Sequence, residues 1–181
     1  MLVTPTPLAG LMLIRPQVFS DSRGFFYESF NEHDFRARTG ADVRFVQDNH
    51  SLSARGVVRG LHYQLPQAQG KLVRVTRGAV LDVVLDIRRS SPTFGQWFSQ
   101  VLSASNKLQL WLPAGFAHGF SVLEDETECL YKTTDYWVPE QEHTILWNDP
   151  ALAIDWQLQG EPILSDKDRN GIPLAQAAVF E

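Results

Sequence analysis

Hydrophobic and polar residues alternate over short stretches of this chain, a pattern typical of β-strands. Residues 79–87 are the clearest case, because the odd-numbered positions from 81 to 87 are all Leu, Val or Ile. The even-numbered positions form the other face, which carries Asp82 and Asp86 besides two valines. Gly78 separates this segment from Lys71–Arg77 and predicts a hairpin-like corner between two strands.

Further short runs with the same character predict more strands, with turn residues such as Pro113-Ala114-Gly115 between them. They are Trp97–Leu102, Gln109–Leu112, Gly119–Leu123, Glu128–Thr133 and Thr144–Trp147. Many short strands with little helix indicate a sandwich, a jelly roll or a closed barrel. The charged face with Asp82 and Asp86 favours a barrel with a polar interior, so we predict an all-β jelly-roll barrel.

Signals for helices are few. Asn31 is a suitable N-cap and Gly40 a suitable stop for a short helix over Asn31–Arg38, and Pro173–Val179 is a second candidate. By composition alone, the polar runs Gln47–His50 and Ser165–Asp168 are predicted to be loops. The fold class expected is therefore an all-β jelly roll with short flanking helices.

Composition narrows the class of protein. The 181 residues predict one domain over residues 1–181, and the net charge of −5 argues against general nucleic-acid binding, although not against an anionic small ligand. No apolar run approaches the roughly 18 residues of a membrane span, and the N-terminal residues do not resemble a signal peptide. The single cysteine, Cys129, cannot form an internal disulfide, so we expect a cytoplasmic location.

Common catalytic motifs are missing from the sequence. It contains no G-x-G-x-x-G, no phosphate-binding P-loop and no G-x-S-x-G, so a nucleotide ligand would be held by side chains. Two histidines stand next to or near glycine, His62 in RGLHYQ and His118 in GFAHGF. Together with His50 they leave a metal site open, but the close spacing typical of metal-binding histidines is absent.

Basic residues close to aromatic residues suggest recognition of a nucleotide, because arginine binds phosphate and aromatic rings stack on bases. Arg23 lies in RGFFYE, and Arg59 and Lys71 stand in similarly mixed segments. Tyr131 shares a small, semi-polar strand face with Thr127 and other residues. On that face its hydroxyl can reach a cavity as a proton donor.

Taken in order, eight motifs resemble those of the dTDP-4-dehydrorhamnose 3,5-epimerase family, which has a cupin-type jelly-roll fold. The similarity extends from about Leu11 to Asp168. The motifs are RGFFYE (23–28), FVQDNH (45–50), RGLHYQ (59–64), QGKLVR (69–74), SPTFGQW (91–97), GFAHGF (115–120), ILWND (145–149) and LSDKD (164–168).

The resemblance implies an isomerase that inverts carbons 3 and 5 of dTDP-4-dehydro-6-deoxy-D-glucose, giving dTDP-4-dehydro-L-rhamnose. Both carbons flank the carbonyl at carbon 4, so each C–H is acidified by enolate formation. The family's base matches His62, its orienting carboxylate Asp168, and the acid on the opposite face Tyr131. The residue matching Lys71 stabilises the enolate oxygen.

Substrate contacts also carry over from the family to positions spread along the chain. We expect Arg23 and Arg59 to bind phosphate, and Phe26 and Trp137 to stack on thymine or sugar, although the family often has tyrosine at the position of Trp137. The full set expected to bind substrate is Arg23, Phe26, Glu28, Gln47, Asn49, Arg59, Lys71, His118, Trp137, Glu142 and Lys167. Whether His118 only binds or also catalyses is left open.

The resemblance further implies that the enzyme needs no metal and no nicotinamide, and that it forms homodimers in which N-terminal strands join the partner's sheet. Simple alternation puts Arg59 and His62 on opposite faces of one strand, so a bulge must intervene if both contact substrate. Three alternatives stay open: an epimerase of one carbon in a related 4-keto nucleotide sugar, a metal-dependent cupin enzyme, and a non-catalytic sugar-binding cupin.

Overall fold

Two antiparallel sheets packed face to face form the body of the protein in a computed structural model that describes residues 1–181. The strands are β1 (Leu2–Pro5), β2 (Met12–Arg15), β3 (Phe19–Asp21), β4 (Gly24–Phe26), β5 (Gln47–Ser53), β6 (Val58–Gln64), β7 (Lys71–Arg77), β8 (Ala79–Asp86), β9 (Trp97–Ser103), β10 (Gln109–Leu112), β11 (Phe116–Val122), β12 (Thr127–Thr133) and β13 (Glu142–Thr144). The helices are α1 (Glu32–Thr39) and α2 (Asp166–Arg169), with 3₁₀ turns at Pro139–Gln141 and Leu174–Gln176.

The larger sheet has the strand order β1-β2-β10-β7-β12-β5, and the smaller has the order β13-β6-β11-β8-β9. A separate two-stranded hairpin is formed by β3 and β4. This arrangement confirms the all-β jelly-roll prediction. None of the helices is both long and apolar enough to cross a membrane.

Strand β8 is buried along its whole length, and its alternation separates two apolar clusters as predicted. Val80 and Val84 face the cluster between the sheets, whereas the odd-numbered aliphatic residues pack on the outside of the smaller sheet. That outer cluster is covered by chain segments that include Trp156 and the penultimate residue Phe180. The interior is therefore apolar at one end of the barrel and open to polar groups at the other.

The predicted corner at Gly78 forms between β7 and β8, but its hairpin-like character is wrong, since β7 belongs to the larger sheet and β8 to the smaller. Gly78 adopts φ +70°, and a Cβ atom there would lie 2.2 Å from the Thr127 hydroxyl oxygen. The glycine thus allows a sharp corner at which the chain passes from one sheet to the other.

Both polar runs predicted as loops are regular structure. Gln47–His50 begins β5, whose polar side chains alternate between the cavity and the outer face of the sheet. Ser165–Asp168 contributes to α2, because the Ser165 side chain accepts a hydrogen bond from the Asp168 backbone N–H and caps the helix. Composition misled in the first case because a polar-lined cavity allows a strand to be polar on both faces, and in the second because a capped polar segment forms a short helix.

Helix α1 confirms the N-terminal helix prediction: Asn31 is its N-cap and Gly40, with φ +70°, its C-cap. The second predicted helix, Pro173–Val179, is wrong, since only the 3₁₀ turn Leu174–Gln176 forms there. The strand predicted over Thr144–Trp147 lies earlier, as β13. Ile145 beyond it exchanges backbone hydrogen bonds with Leu61 of β6 and makes an isolated bridge to Ile172.

Candidate active site

A cavity of about 280 Å³ opens between the two sheets, and residues of both sheets line it. Most of the side chains predicted from the sequence meet there, although they come from distant parts of the chain. Those lining the cavity are Gln47, Asn49, Arg59, His62, Lys71, His118, Tyr131, Trp137, Glu142 and Lys167.

A bulge in β6 brings Arg59 and His62 to the same side, as the sequence required. Across the β6–β11 pair, His118 lies opposite His62 and Phe120 opposite Arg59, so β6 contains one extra residue between the two pairs. Gly60 occupies the bulge with φ +107°, and a Cβ atom there would lie 2.6 Å from the His118 carbonyl oxygen. Only glycine permits this close approach of two backbones.

His62 and Asp168 form a hydrogen-bonded pair, with 2.6 Å between the imidazole Nε2 and the carboxylate Oδ1. Asp168 is held in turn by the Ser165 hydroxyl at 2.6 Å and by the Gly60 backbone N–H at 3.0 Å. A carboxylate only accepts hydrogen bonds, so Nε2 carries a hydrogen and Nδ1 is the remaining ring nitrogen.

The pKa values of this pair follow from burial and hydrogen bonding. Burial lowers the pKa of His62 below 6.5, although the hydrogen bond to Asp168 opposes this. For Asp168, burial would raise the pKa, but hydrogen bonds from His62 and Ser165 outweigh it and lower the pKa to about 2. At neutral pH the pair is therefore a neutral imidazole beside a carboxylate.

Tyr131 lies on β12 in the larger sheet and lines the cavity from the wall facing His62, which lies on β6 of the smaller sheet. Burial raises the pKa of the Tyr131 phenol above 10.0. The phenol therefore keeps its proton at neutral pH. A neutral base and a protonated acid thus face each other across the cavity.

Lys71, the first residue of β7, is buried at the cavity with few contacts. The ammonium Nζ lies 3.5 Å from the His62 carbonyl oxygen, and no carboxylate lies within 4.0 Å. Burial lowers the pKa of Lys71 to about 8, and the negative charges of Glu142 and Asp82 oppose this shift. A desolvated cation of this kind stabilises negative charge that develops nearby.

The cavity mouth carries amides, an ion pair and an indole ring. Gln47 Nε2 donates to Asn49 Oδ1 at 3.0 Å, and Gln47 Oε1 accepts from the Trp137 backbone N–H at 3.1 Å. Glu142 and Lys167 form an ion pair of 2.9 Å. The Trp137 side chain is exposed, which leaves its ring free to stack.

Arg59 and His118 are each held by a partner that the sequence analysis did not assign to them. The Arg59 guanidinium donates to the buried Ser53 hydroxyl at 3.2 and 3.1 Å and has no carboxylate partner. The His118 imidazole Nε2 lies 2.9 Å from the Asp82 carboxylate.

Three predicted binding residues lie away from the cavity of their own chain. Arg23 and Phe26 belong to the β3–β4 hairpin, where Phe26 is exposed and Arg23 pairs with Asp21 at 2.5 Å. Glu28 accepts a hydrogen bond from Asn31 at 3.3 Å beside another depression of the surface. One protomer alone therefore does not bring these three residues to the site.

Sequence reasoning missed five residues of the site: Ser51, Gln69, Gly119 and Phe120, which line the cavity, and Asp82, which pairs with His118. Asp82 had a usable signal, because alternation placed its charge on an inward strand face. Ser51 had one as well, since it continues the alternating row of Gln47 and Asn49 on β5.

The metal alternative that combined His50 with His62 and His118 is wrong in its geometry. His50 points to the outer face of β5, where its Nε2 lies 3.1 Å from Glu128. The neighbouring residues Asn49 and Ser51 line the cavity instead. Because side chains of a strand alternate between faces, His50 does not join the other two histidines.

The jelly-roll barrel and the ionisable groups facing each other across its cavity define the class as a cupin-like enzyme suited to proton transfer. A family model described as dTDP-4-dehydrorhamnose 3,5-epimerase matches residues 5–176. The chain belongs to this family of isomerases.

Individual relatives support the assignment over nearly the whole chain. The dTDP-4-dehydrorhamnose 3,5-epimerase of Pseudomonas aeruginosa is 59% identical over 180 residues, covering 99% of both chains. A Legionella pneumophila epimerase solved in complex with dTDP-4-keto-L-rhamnose is 50% identical with a TM-score of 0.95, covering 97% of this chain and 94% of that one. A 3′-monoepimerase from Streptomyces bikiniensis solved with dTDP-quinovose is 38% identical with a TM-score of 0.91, covering 96% and 88%.

Proposed function

We propose that this chain, as one domain over residues 1–181, inverts carbons 3 and 5 of dTDP-4-dehydro-6-deoxy-D-glucose and produces dTDP-4-dehydro-L-rhamnose. The observation that carries the proposal is the placement of a neutral His62 and a protonated Tyr131 on opposite walls of one cavity. Inversion needs this arrangement, because the proton must leave one face of the carbon and arrive at the other. The relatives in this family support the identity of the substrate.

His62 acts as the base through Nδ1, since Nε2 is bonded to Asp168. Asp168 orients the ring and stabilises the imidazolium that forms when His62 takes a proton from carbon 3 or carbon 5. General base catalysis of this kind contributes on the order of 10²–10⁴ in rate. Ser165 and the Gly60 backbone N–H hold the carboxylate in place.

Lys71 stabilises the enolate oxygen at carbon 4 while the proton is absent. Its ammonium is desolvated and has no carboxylate within 4.0 Å, so it is available to the developing negative charge. Loss of one such donor typically costs roughly 3 kcal/mol of transition-state stabilisation. Tyr131 then delivers its phenolic proton to the opposite face, and both groups are reset from solvent before the second carbon reacts.

The remaining cavity residues bind the nucleotide sugar. Arg59 binds phosphate oxygens, for which its guanidinium is suited because no carboxylate pairs with it. The exposed ring of Trp137 stacks on thymine or sugar. The other residues bind through hydrogen bonds or charge; they are Gln47, Asn49, His118, Glu142 and Lys167.

The protein acts as a cytoplasmic homodimer in which the β3–β4 hairpin reaches the neighbouring cavity. Support comes from the hairpin itself, because Phe19, Phe25 and Phe26 are 57%, 58% and 68% exposed. Rings as exposed as these are costly unless another surface covers them. Arg23, Phe26 and Glu28 then complete the site of the partner subunit, and the enzyme needs neither metal nor nicotinamide.

The deciding experiment is incubation of the protein with dTDP-4-dehydro-6-deoxy-D-glucose in D₂O, followed by proton NMR. We expect deuterium at both carbon 3 and carbon 5, because the incoming proton comes from a group that exchanges with solvent. A rhamnose-pathway reductase should then reduce the product. If neither carbon 3 nor carbon 5 takes up deuterium, the proposal is contradicted.

A second candidate is a single-carbon epimerase, which the similarity to the Streptomyces bikiniensis 3′-monoepimerase favours. The same base, acid and lysine serve either reaction, so the catalytic groups do not separate the two. Deuterium at carbon 3 alone, with carbon 5 unexchanged after prolonged incubation, would establish the single-carbon reaction instead.

A further inference from the structure

Two histidine–carboxylate pairs lie side by side in the cavity wall. His118 on β11 is the direct cross-strand partner of His62 on β6. Each ring uses Nε2 for a carboxylate, His62 for Asp168 and His118 for Asp82 at 2.9 Å. Only the first pair, His62 with Asp168, takes part in the proposed proton transfer.

Asp82 is fully buried and incompletely paired, which is unusual for a carboxylate. Its Oδ2 faces His118, but its Oδ1 is buried without any hydrogen-bond partner. The Ser51 hydroxyl, on β5 of the opposite sheet, is the only other buried side-chain atom in the chain without a partner. Burying an unpaired polar atom is costly, so stability alone does not explain Asp82.

Asp86 shows how the same strand pairs a carboxylate that serves the fold. It lies on the same face of β8 and is equally buried. Its oxygens accept hydrogen bonds from Arg88, Ser91 and Thr93, which close the loop after the strand. Asp82 has no such partners in a loop. Its partner is His118, which lines the cavity.

We propose that Asp82 is a positioning residue: its carboxylate holds the hydrogen of the His118 imidazole on Nε2, so that Nδ1 faces the substrate. This inference rests on the proposed epimerase function. It explains why a fully buried carboxylate is paired with a histidine at the cavity and not with groups that close the fold.

Asp82→Asn and Asp82→Ala test this positioning in the epimerase assay. Asparagine keeps the size and an acceptor oxygen for His118, so KM should stay near that of the parent. Alanine removes the acceptor, so KM should rise by roughly tenfold.

Asp86→Ala is the matched control, because it removes a buried carboxylate from the same face of the same strand. It should lower the melting temperature while KM stays near that of the parent. A KM unchanged in Asp82→Ala, with the parent enzyme active, would overturn the inference. A parent enzyme without epimerase activity would instead contradict the proposed function.

A spectroscopic measurement on the parent protein covers the case in which the Asp82 variants fail to fold. In ¹⁵N NMR spectra, with the His118 signals assigned by comparison with His118→Asn, Nε2 should carry a hydrogen from pH 6 to 9. A neutral His118 with its hydrogen on Nδ1 would overturn the inference.

Discussion

Burial lowers the pKa of both His62 and Lys71, because a buried side chain disfavours its charged form. The two shifts have opposite consequences for catalysis. For His62, the lower pKa keeps the imidazole neutral and basic at neutral pH. For Lys71, it brings the loss of the ammonium close to the working pH.

The rate should therefore depend on pH through a bell-shaped curve. We expect kcat/KM to fall on the acid side below pH 6.5, where His62 takes up a proton, and on the alkaline side above about pH 8, where Lys71 loses one. Lys71→Arg should remove the alkaline limb near pH 8, because a guanidinium stays charged. A limb that persists at that pH in the variant would show that another group causes it.

Tyr131→Phe should separate proton exchange from inversion. His62 and Lys71 remain, so the substrate should still exchange its proton with D₂O, but no acid delivers a proton to the opposite face. Proton NMR of the recovered sugar should show deuterium with the original configuration. Tyr136→Phe is the matched control, because Tyr136 is exposed outside the cavity lining; inversion by Tyr131→Phe at the parent rate would contradict its role.

At the scale of single elements, the bulge in β6 decides whether the site can form. Without the extra residue, Arg59 and His62 would point to opposite faces of the sheet. Gly60 makes the bulge possible through its positive φ and the absence of a Cβ atom. The bulge also places the Gly60 backbone N–H against Asp168.

Gly60→Ala should destabilise the protein and impair the site together. The positive φ costs roughly 1–3 kcal/mol for a residue with a side chain, and the contact with the His118 carbonyl adds to this. Urea denaturation measures the effect. Gly24→Ala is the control, since Gly24 has φ +126° but no atom within 4 Å of the added Cβ; equal losses in both variants would mean that the close contact is unimportant.

At the scale of the whole molecule, the exposed β3–β4 hairpin and the cavity are complementary features of one chain. The hairpin carries Arg23 and Phe26 away from the body, whereas the cavity lacks the residues that the family places there. Exchange of hairpins between two copies would satisfy both features. It would also bury the three exposed phenylalanine rings.

Mixing two inactive variants tests this exchange. A dimer of His62→Ala with Arg23→Ala should contain one intact site, so mixed and reannealed chains should recover up to about a quarter of the parent activity per chain. Each variant alone should stay inactive, and a melting curve should show that both fold. Failure of the mixture to recover activity, with heterodimers demonstrated by mass, would argue against shared sites.

The sequence by itself determined the strand-rich class, the faces of β8 and the helix that begins after Asn31, because alternation and capping are local properties. Through the family resemblance it also predicted the reacting groups, including His62 and Tyr131, which the structure brings to one cavity. It predicted the bulge between Arg59 and His62 only on the condition that both side chains contact substrate.

Tertiary structure alone decided the rest. Whether Gly78 makes a hairpin or a corner depends on which sheet each strand joins, and that depends on distant residues such as Thr127. The partnership of Asp82 with His118 depends on the register of β8 against β11. Local sequence fixes neither, because pairing partners and burial arise only when segments far apart in the chain pack together.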